Sequence, residues 1–264
     1  MNDFDIFGDE FLDVDFTKNP AFVGGDLGAP ADGEFGSYEK KFGVLSDREI
    51  REAIEAQDAM GGSFDLMVTR CYHQKKEKSC TCNAIAQLRE IAQAEEVGKE
   101  NVVHLSALSL YQQVTDRDDG SNIGQANKAM REVGILPLDN AENKARYAHT
   151  MPNTGFGMRY PKGWKTTAAM LRSDEAFSVD SFEGFCSALL RGPLVGGRDG
   201  HAICYVRLRW QNGMYVADYI NSWNDTWGRK HPITGLGGFG TDSQNMIKEA
   251  RYASGVRSTR VQKV

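Results

Sequence analysis

The chain has 264 residues, of which 41% are hydrophobic, and its 31 basic and 36 acidic side chains give a formal charge of −5. This length and composition are sufficient for one large or two small packed units, so we expect a soluble globular protein. The longest apolar runs are too short to span a membrane, and the acidic N-terminus is unlike a secretory signal. We therefore predict a cytoplasmic protein, unless it is packaged into a particle.

The first 36 residues are strongly acidic, with nine acids against Lys18 alone. Apolar side chains are interleaved with these acids but are too few to bury a core, which predicts a mobile leader over residues 1–42. We interpret residues 1–36 as a docking segment for a protein partner. A leader that lies over its own domain and a propeptide are the alternatives. The apolar residues concerned are Phe4, Ile6, Phe11, Leu12, Val14 and Phe16.

Residues 43–140 have the pattern of a helical lobe. Ser46 and Glu49 form a capping-box pattern, which predicts a helix that ends near Met60. Apolar residues at helical spacing after Cys82 predict a second helix that begins at this cysteine and continues to about residue 97. Further helices are predicted from about residue 106 and over residues 124–133. Unpaired backbone N–H groups at the start of a helix favour a thiolate, so Cys82 is a candidate nucleophile.

Residues 141–264 are predicted to form a β-rich lobe. Apolar and polar residues alternate over 200–210 and 214–223, on either side of Asn212-Gly213, which is typical of a tight antiparallel hairpin. Residues 139–180 are interpreted as mainly irregular loops. A short helix is predicted over residues 182–190 and a last one over residues 243–253, followed by a basic tail.

The hairpin brings the open ends of its two strands together. His201 and Asn221 occupy these ends, so the Asn221 amide oxygen can accept a hydrogen bond from the His201 imidazole. This contact orients a histidine as a general base, which could activate a cysteine such as Cys82.

Several motifs occur in the order found in papain-like cysteine peptidases. His201-Ala202, Asn221-Ser222-Trp223 and Trp227-Gly228 resemble the His-Ala and Asn-Ser-Trp-Gly…Trp-Gly motifs of that family. Cys82-Asn83-Ala84 resembles its Cys-Trp-Ala, and the segment that ends at Gln74 resembles the one that ends in its oxyanion-hole glutamine. The remaining similar segments are Leu105-Ser106 with Leu110-Tyr111, Gly120-Ser121-Asn122-Ile123-Gly124 and Arg191-Gly192-Pro193-Leu194.

The resemblance covers about residues 64–240 and implies an α+β, papain-like two-lobed fold with an active-site cleft between the lobes. It implies Cys82, His201 and Asn221 as a catalytic triad, Gln74 as an oxyanion-hole donor, and Trp223 as a shield over the Asn–His contact. Three features depart from the family. Gln74 precedes Cys82 by eight positions where the family has six, Asn83 replaces a tryptophan, and only seven residues separate Pro193 from His201 where the family has a much longer segment.

No cofactor or metal is expected. Cys80 and Cys82 could form half of a zinc site, but no second pair at ligand spacing accompanies them. Position 121, which carries a disulfide cysteine in secreted members of the family, is a serine here. The basic residues near the C-terminus lack interleaved aromatic residues, so nucleic-acid binding is not expected.

The sequence therefore predicts a cysteine-dependent hydrolase that acts on peptide or isopeptide amide bonds in a peptide or protein substrate, self-processing included. The main alternative is a papain-like fold that serves as a structural or assembly component, for example in a phage or virus particle, with weak or no activity. A cell-wall amidase is a third interpretation, which the Asn221-Ser222-Trp223 motif disfavours.

Overall fold

The computed structural model describes residues 12–18, 26, 35–147, 160–173, 175–249 and 252–257. Within these ranges the helices are α1 (Tyr38–Phe42), α2 (Asp47–Ala59), α3 (Cys80–Val97), α4 (Ala107–Val114), α5 (Ile123–Glu132), α6 (Ala141–Tyr147), α7 (Trp164–Ala169), α8 (Phe182–Leu189) and α9 (Gln244–Glu249). The strands are β1 (Gly36–Ser37), β2 (Glu175–Val179), β3 (Leu194–Arg198), β4 (His201–Gln211), β5 (Met214–Ile220), β6 (Phe239–Ser243) and β7 (Tyr252–Arg257). The predicted α+β fold class is confirmed.

All these strands belong to one sheet, in the order β1-β2-β7-β3-β4-β5-β6. The β4–β5 hairpin closes where the sequence predicted, with Gln211 opposite Met214 and positive φ angles at Asn212 (50°) and Gly213 (79°). Positive φ at both central positions defines the tight turn that matches the twist of an antiparallel pair. The Asn-Gly hairpin prediction is therefore confirmed.

Helices cover both faces of the sheet. On one face α3 and its neighbours pack against Ala202, Cys204 and Val206 of β4, and on the other Ile203 and Tyr205 join a second buried cluster. The period of two along a strand explains this division, because successive side chains point to opposite faces. A register irregularity between Tyr205 and Arg207 then shifts the alternation, so that Leu208 joins the second cluster.

Helix α2 begins with the predicted capping box. The Ser46 hydroxyl accepts from the Glu49 backbone N–H, and the Glu49 carboxylate accepts from the Ser46 backbone N–H. Its buried residues Ile50 and Ile54, however, pack in the cluster that contains α8 and the β4–β5 hairpin. Helix α2, which the sequence analysis assigned to a helical lobe, thus packs with the strands.

Three other predictions differ from the structure. Helix α3 begins at Cys80 rather than at Cys82, with Ser79 as its N-cap residue. The described parts of 139–180 contain two helices, α6 and α7, and strand β2 instead of mainly irregular loops. The predicted last helix ends at Glu249, and the chain then forms β7 between β2 and β3, because backbone pairing with two neighbours outweighs local helical preference there.

Candidate active site

The site lies where the N-terminus of α3 meets the start of β4. The first residue of α3 is Cys80, and the backbone N–H of Ala202, the residue that follows His201, lies near enough to its thiol to lower the thiol pKa. The Cys80 backbone N–H belongs to the first turn of the helix, whose N–H groups have no partner within the helix itself. A thiol at the N-terminus of a helix therefore lies near the start of the histidine strand.

Cys82, the cysteine that the sequence analysis selected, points elsewhere. Its sulfur lies 3.9 Å from the Ser121 hydroxyl and 3.9 Å from the Thr81 hydroxyl. Residues 80 and 82 are separated by about 200° around a helix, so they face different sides of it. The structure thus brings Cys80, and not Cys82, to the histidine strand, which makes Cys80 the candidate nucleophile in place of the predicted Cys82.

The spacing in the sequence contains a signal for Cys80. Gln74 precedes Cys80 by six positions, which is the separation expected in the papain-like family between the oxyanion-hole glutamine and the nucleophile. The apparent insertion between Gln74 and the nucleophile arises only when Cys82 is taken as that nucleophile. The six-residue spacing therefore favours Cys80 over Cys82 as the candidate.

His201 and Asn221 meet as the hairpin predicts. The His201 Nε2 lies 2.7 Å from the Asn221 Oδ1, which also accepts from the Ser222 backbone N–H at 2.7 Å. Because an N–H donor already points at this atom, it is the amide oxygen, and the His201 Nε2 must carry the proton. In the neutral imidazole this tautomer leaves Nδ1 as the basic nitrogen.

Burial dominates the electrostatics of the site. It lowers the pKa of His201 to about 4, with the Asn221 contact opposing and Arg198 assisting this change. Burial also raises the pKa of Cys80 to about 12, where the Ala202 N–H lowers it and the charge of Asp26 raises it further. In the described state the cysteine and histidine are therefore a neutral thiol and a neutral imidazole at pH 7.

Gln74 is fully buried and is connected to the Asn221 segment. Its backbone N–H donates to the Ser222 carbonyl at 2.8 Å, and its side-chain oxygen accepts from the Ser222 hydroxyl at 2.5 Å. Its side-chain N–H donates to the Glu77 carbonyl at 2.8 Å. In this state the Gln74 amide is thus oriented by its own loop and by Ser222.

Two aromatic side chains pack against the His201 imidazole. The Trp223 ring lies 4.8 Å from that of His201, at an interplanar angle of 31°. Phe16 of the leader lies 4.8 Å from the same imidazole at 76°, and is fully buried. The interpretation that Phe16 anchors on a separate partner is therefore wrong, because its side chain is packed within its own domain. Phe4, Ile6 and Phe11 lie outside the described residues.

Asp26 of the leader lies beside the junction of α3 and β4. The Asp26 backbone N–H donates to the Gly200 carbonyl at 3.0 Å, and Asp26 forms a parallel bridge with Ser121. Its carboxylate lies against Gly197, where any side chain would overlap it. Asp26 therefore connects the β3–β4 turn to Ser121 beside Cys80, a role that was not predicted from the sequence.

Metal binding and a membrane span find no support in the described part of the chain. Among those residues, no three His, Cys, Asp or Glu side chains are grouped so that they could hold a metal ion. A search of the same residues for a helix with the length and apolar character needed to cross a membrane found none.

Comparison with solved structures shows that the chain adopts the papain-like cysteine protease fold. Xylellain, a cysteine protease from Xylella fastidiosa, matches 89% of this chain and 96% of its own, with a TM-score of 0.63 and 15% identity. Recombinant stem bromelain precursor matches 91% of this chain and 78% of its own, with a TM-score of 0.60 and 16% identity. Procathepsin B from Trypanosoma congolense matches 94% and 90%, with a TM-score of 0.57 and 12% identity. No family model and no curated sequence matches.

Proposed function

We propose that this protein is a cysteine peptidase in which Cys80 is the nucleophile, His201 is the general base and acid, and Asn221 orients the imidazole. The observation that carries the proposal is the position of the Cys80 thiol against Ala202, next to a histidine whose tautomer is fixed by Asn221. The substrate class is a peptide or protein, and an isopeptide bond offers the same carbonyl to the same groups.

The reaction has two steps. His201 Nδ1 takes the proton of Cys80, and the thiolate attacks the carbonyl carbon of the scissile bond. The Cys80 backbone N–H stabilises the oxyanion, and the departing amine takes the proton from His201, which leaves a thioester on Cys80. His201 then deprotonates a water molecule that attacks the thioester, which releases the carboxylic acid and restores the thiol.

The resting form that we infer is latent. Cys80 and His201 are both fully buried, and Asp26 connects Gly200 to Ser121 beside them. An extended substrate would need the same backbone groups on either side of the thiol. The stem bromelain precursor and procathepsin B, which are among the similar structures, support a latent state for this chain as well. Displacement of Asp26 would remove its charge and its contact with Gly200 from the surroundings of the thiol.

The experiment compares Cys80→Ala with Cys82→Ala in the full-length chain. Hydrolysis of a quenched fluorescent peptide library is followed over several hours at about pH 6 and about pH 8, so that slow opening of the leader is included. Loss of the nucleophile should lower the rate by roughly 10³-fold or more, whereas Cys82→Ala should retain most of it because its thiol faces Ser121. Alkylation with iodoacetamide provides the second readout.

Two outcomes would contradict the assignment. Loss of activity in Cys82→Ala but not in Cys80→Ala would return the nucleophile to Cys82. No hydrolysis by the unmodified chain, together with equal and slow alkylation of both thiols, would favour a structural or assembly component that keeps the fold without the activity.

A further inference from the structure

The N-terminal segment 12–18 is built into the domain by specific contacts. The Asp13 backbone N–H donates to the Thr241 carbonyl at 2.9 Å, and the Asp13 carboxylate accepts from the Ser243 backbone N–H at 2.6 Å. The Val14 carbonyl accepts from the Arg198 guanidinium at 2.9 Å. The segment therefore lies across β6 and the end of β3, held by hydrogen bonds at both places.

Phe16 is the buried end of this segment. Its ring makes edge-to-face contacts with His201, Trp223 and Tyr219, with centroid separations of 4.8, 5.4 and 5.9 Å. The Arg198 guanidinium carbon lies 3.9 Å above the Phe16 ring, which is a cation–π contact. Arg198 is itself fixed by a two-pronged ion pair with Asp242, at 2.9 and 2.8 Å. Phe16 is thus held by rigid partners on several sides.

The rings of His201, Phe16 and Trp223 contact one another, with centroid separations of 4.8, 4.8 and 5.4 Å, so the two aromatic rings cover neighbouring sides of the imidazole. A histidine ring turns easily about its last side-chain bond, and a half-turn would put the carbon Cε1 where Nε2 now lies and so remove the hydrogen bond to Asn221. Trp223 blocks one side of the ring and Phe16 another. The two aromatic rings also exclude water from the Nε2–Oδ1 contact, which strengthens it because the local dielectric is low.

The short β3–β4 connection explains why the leader is needed there. Strand β3 ends at Arg198 and β4 begins at His201, so only Asp199 and Gly200 separate them. This turn has no side chain large enough to cover the imidazole. The ring that does so is supplied by a segment distant in sequence.

We propose that Phe16 is a positioning residue for His201, and that residues 12–18 are a permanent part of the active site rather than a cover that must be removed. This inference rests on the proposed function. It assigns different roles to two parts of the leader, since residue 26 lies beside Cys80 whereas residue 16 supports the histidine.

The test uses Phe16→Leu in the full-length chain, with Phe185→Leu as the matched control. Both positions lie in the same buried cluster, but Phe185 contacts Tyr205 at 5.0 Å and makes no ring contact with His201 among those of the described residues. The pKa and tautomer of His201 are measured by nitrogen NMR of the labelled imidazole. Burial holds the wild-type pKa at about 4, so Phe16→Leu should move it upward towards its ordinary value, and Phe185→Leu should leave it unchanged.

Activity gives the second readout. Phe16→Leu should lower kcat by about ten- to a hundred-fold with little change in KM, because substrate contacts remain while the base is misplaced. A His201 pKa that stays at the wild-type value, or shifts equally in both variants, would overturn the inference. A rise in activity in Phe16→Leu would also overturn it, since it would show that residues 12–18 act as a removable cover. Neither NMR result depends on which cysteine is the nucleophile, so the proposed function can fail separately in the comparison of Cys80 with Cys82.

Discussion

The charge of Asp26 is a specific influence on the candidate nucleophile. A carboxylate near a thiol disfavours the thiolate, and Asp26 accordingly adds to the burial that raises the pKa of Cys80. The hydrogen bond that holds Asp26 to Gly200 comes from the backbone, so a change of side chain leaves that contact intact. The charge can therefore be removed without removing the segment.

We expect Asp26→Asn to lower the pKa of Cys80 and so to increase the fraction of thiolate at any pH below that pKa. Alkylation of Cys80 at about pH 8 should be roughly three- to ten-fold faster than in the parent. The measurement uses a Cys82→Ala background, because both cysteines lie on one short proteolytic fragment, and mass spectrometry follows the modified fragment. Asp15→Asn is the control, since its exposed carboxylate bonds only to Thr17 and Lys18 among the described contacts. An equal rate in both variants would show that the charge of Asp26 does not reach the thiol.

The β4–β5 hairpin is the element on which the His201–Asn221 contact depends. Its turn needs positive φ at Gly213, and no atom lies within 4 Å of the position that a Cβ there would take. Any cost of Gly213→Ala therefore comes from the backbone conformation rather than from a clash. We expect a loss of about 1–2 kcal/mol in the free energy of unfolding, measured by urea denaturation.

Gly192→Ala is the matched control for this turn. A Cβ at Gly192 also meets nothing within 4 Å, but its φ lies outside the left-handed region. Its free energy of unfolding should stay equal or rise slightly, because alanine restricts the unfolded chain. Equal losses in the free energy of unfolding of the two variants would show that the positive φ angle is not the reason for glycine at position 213.

The contrast between α3 and the hairpin shows what the sequence can specify. The hairpin is encoded locally, by alternation and by Asn212-Gly213, so its register and the contact between His201 and Asn221 could be predicted. The start of α3 was misplaced because the helical spacing of Ile85 and Leu88 fits either cysteine. Which of the two faces β4 depends on packing between segments more than a hundred residues apart, and local periodicity does not contain that information. Among the sequence features, only the six-residue spacing from Gln74 to Cys80 distinguishes the two cysteines.

The same distinction explains the errors in the leader and at the C-terminus. Residues 12–18 have an acidic, interleaved composition that is typical of a solvated segment, yet Phe16 is fully buried against residues of β4 and β5. At the C-terminus a helix was predicted up to residue 253, but the chain forms β7 there because it pairs with β2 and β3. Both segments are defined by contacts that are distant in sequence, which composition and local propensity do not encode.

At the scale of the whole molecule, β7 joins the two parts of the sheet. It pairs with β2 at five positions and with β3 at four, so β1 and β2 reach the β3–β6 strands only through it. An interior strand satisfies backbone groups on both of its neighbours, and its removal would leave two new edges. The C-terminal strand is thus a central element of the fold and not an appended tail.

We therefore expect a chain that ends at residue 251 to lose cooperative unfolding, whereas a chain that ends at residue 257 keeps it. In the first, β2 and β3 lose their common partner, and the second buried cluster, which includes Phe177 of β2 and Leu194 of β3, loses its alignment. The cooperativity of both truncated chains is measured by thermal unfolding, followed by circular dichroism. The longer chain should unfold within about 2 °C of the full-length protein, a small shift for a protein of this size. Similar transitions in the two truncated chains would show that β2 and β3 are held by their helices alone, and that the sheet does not need its last strand to keep the histidine hairpin in place.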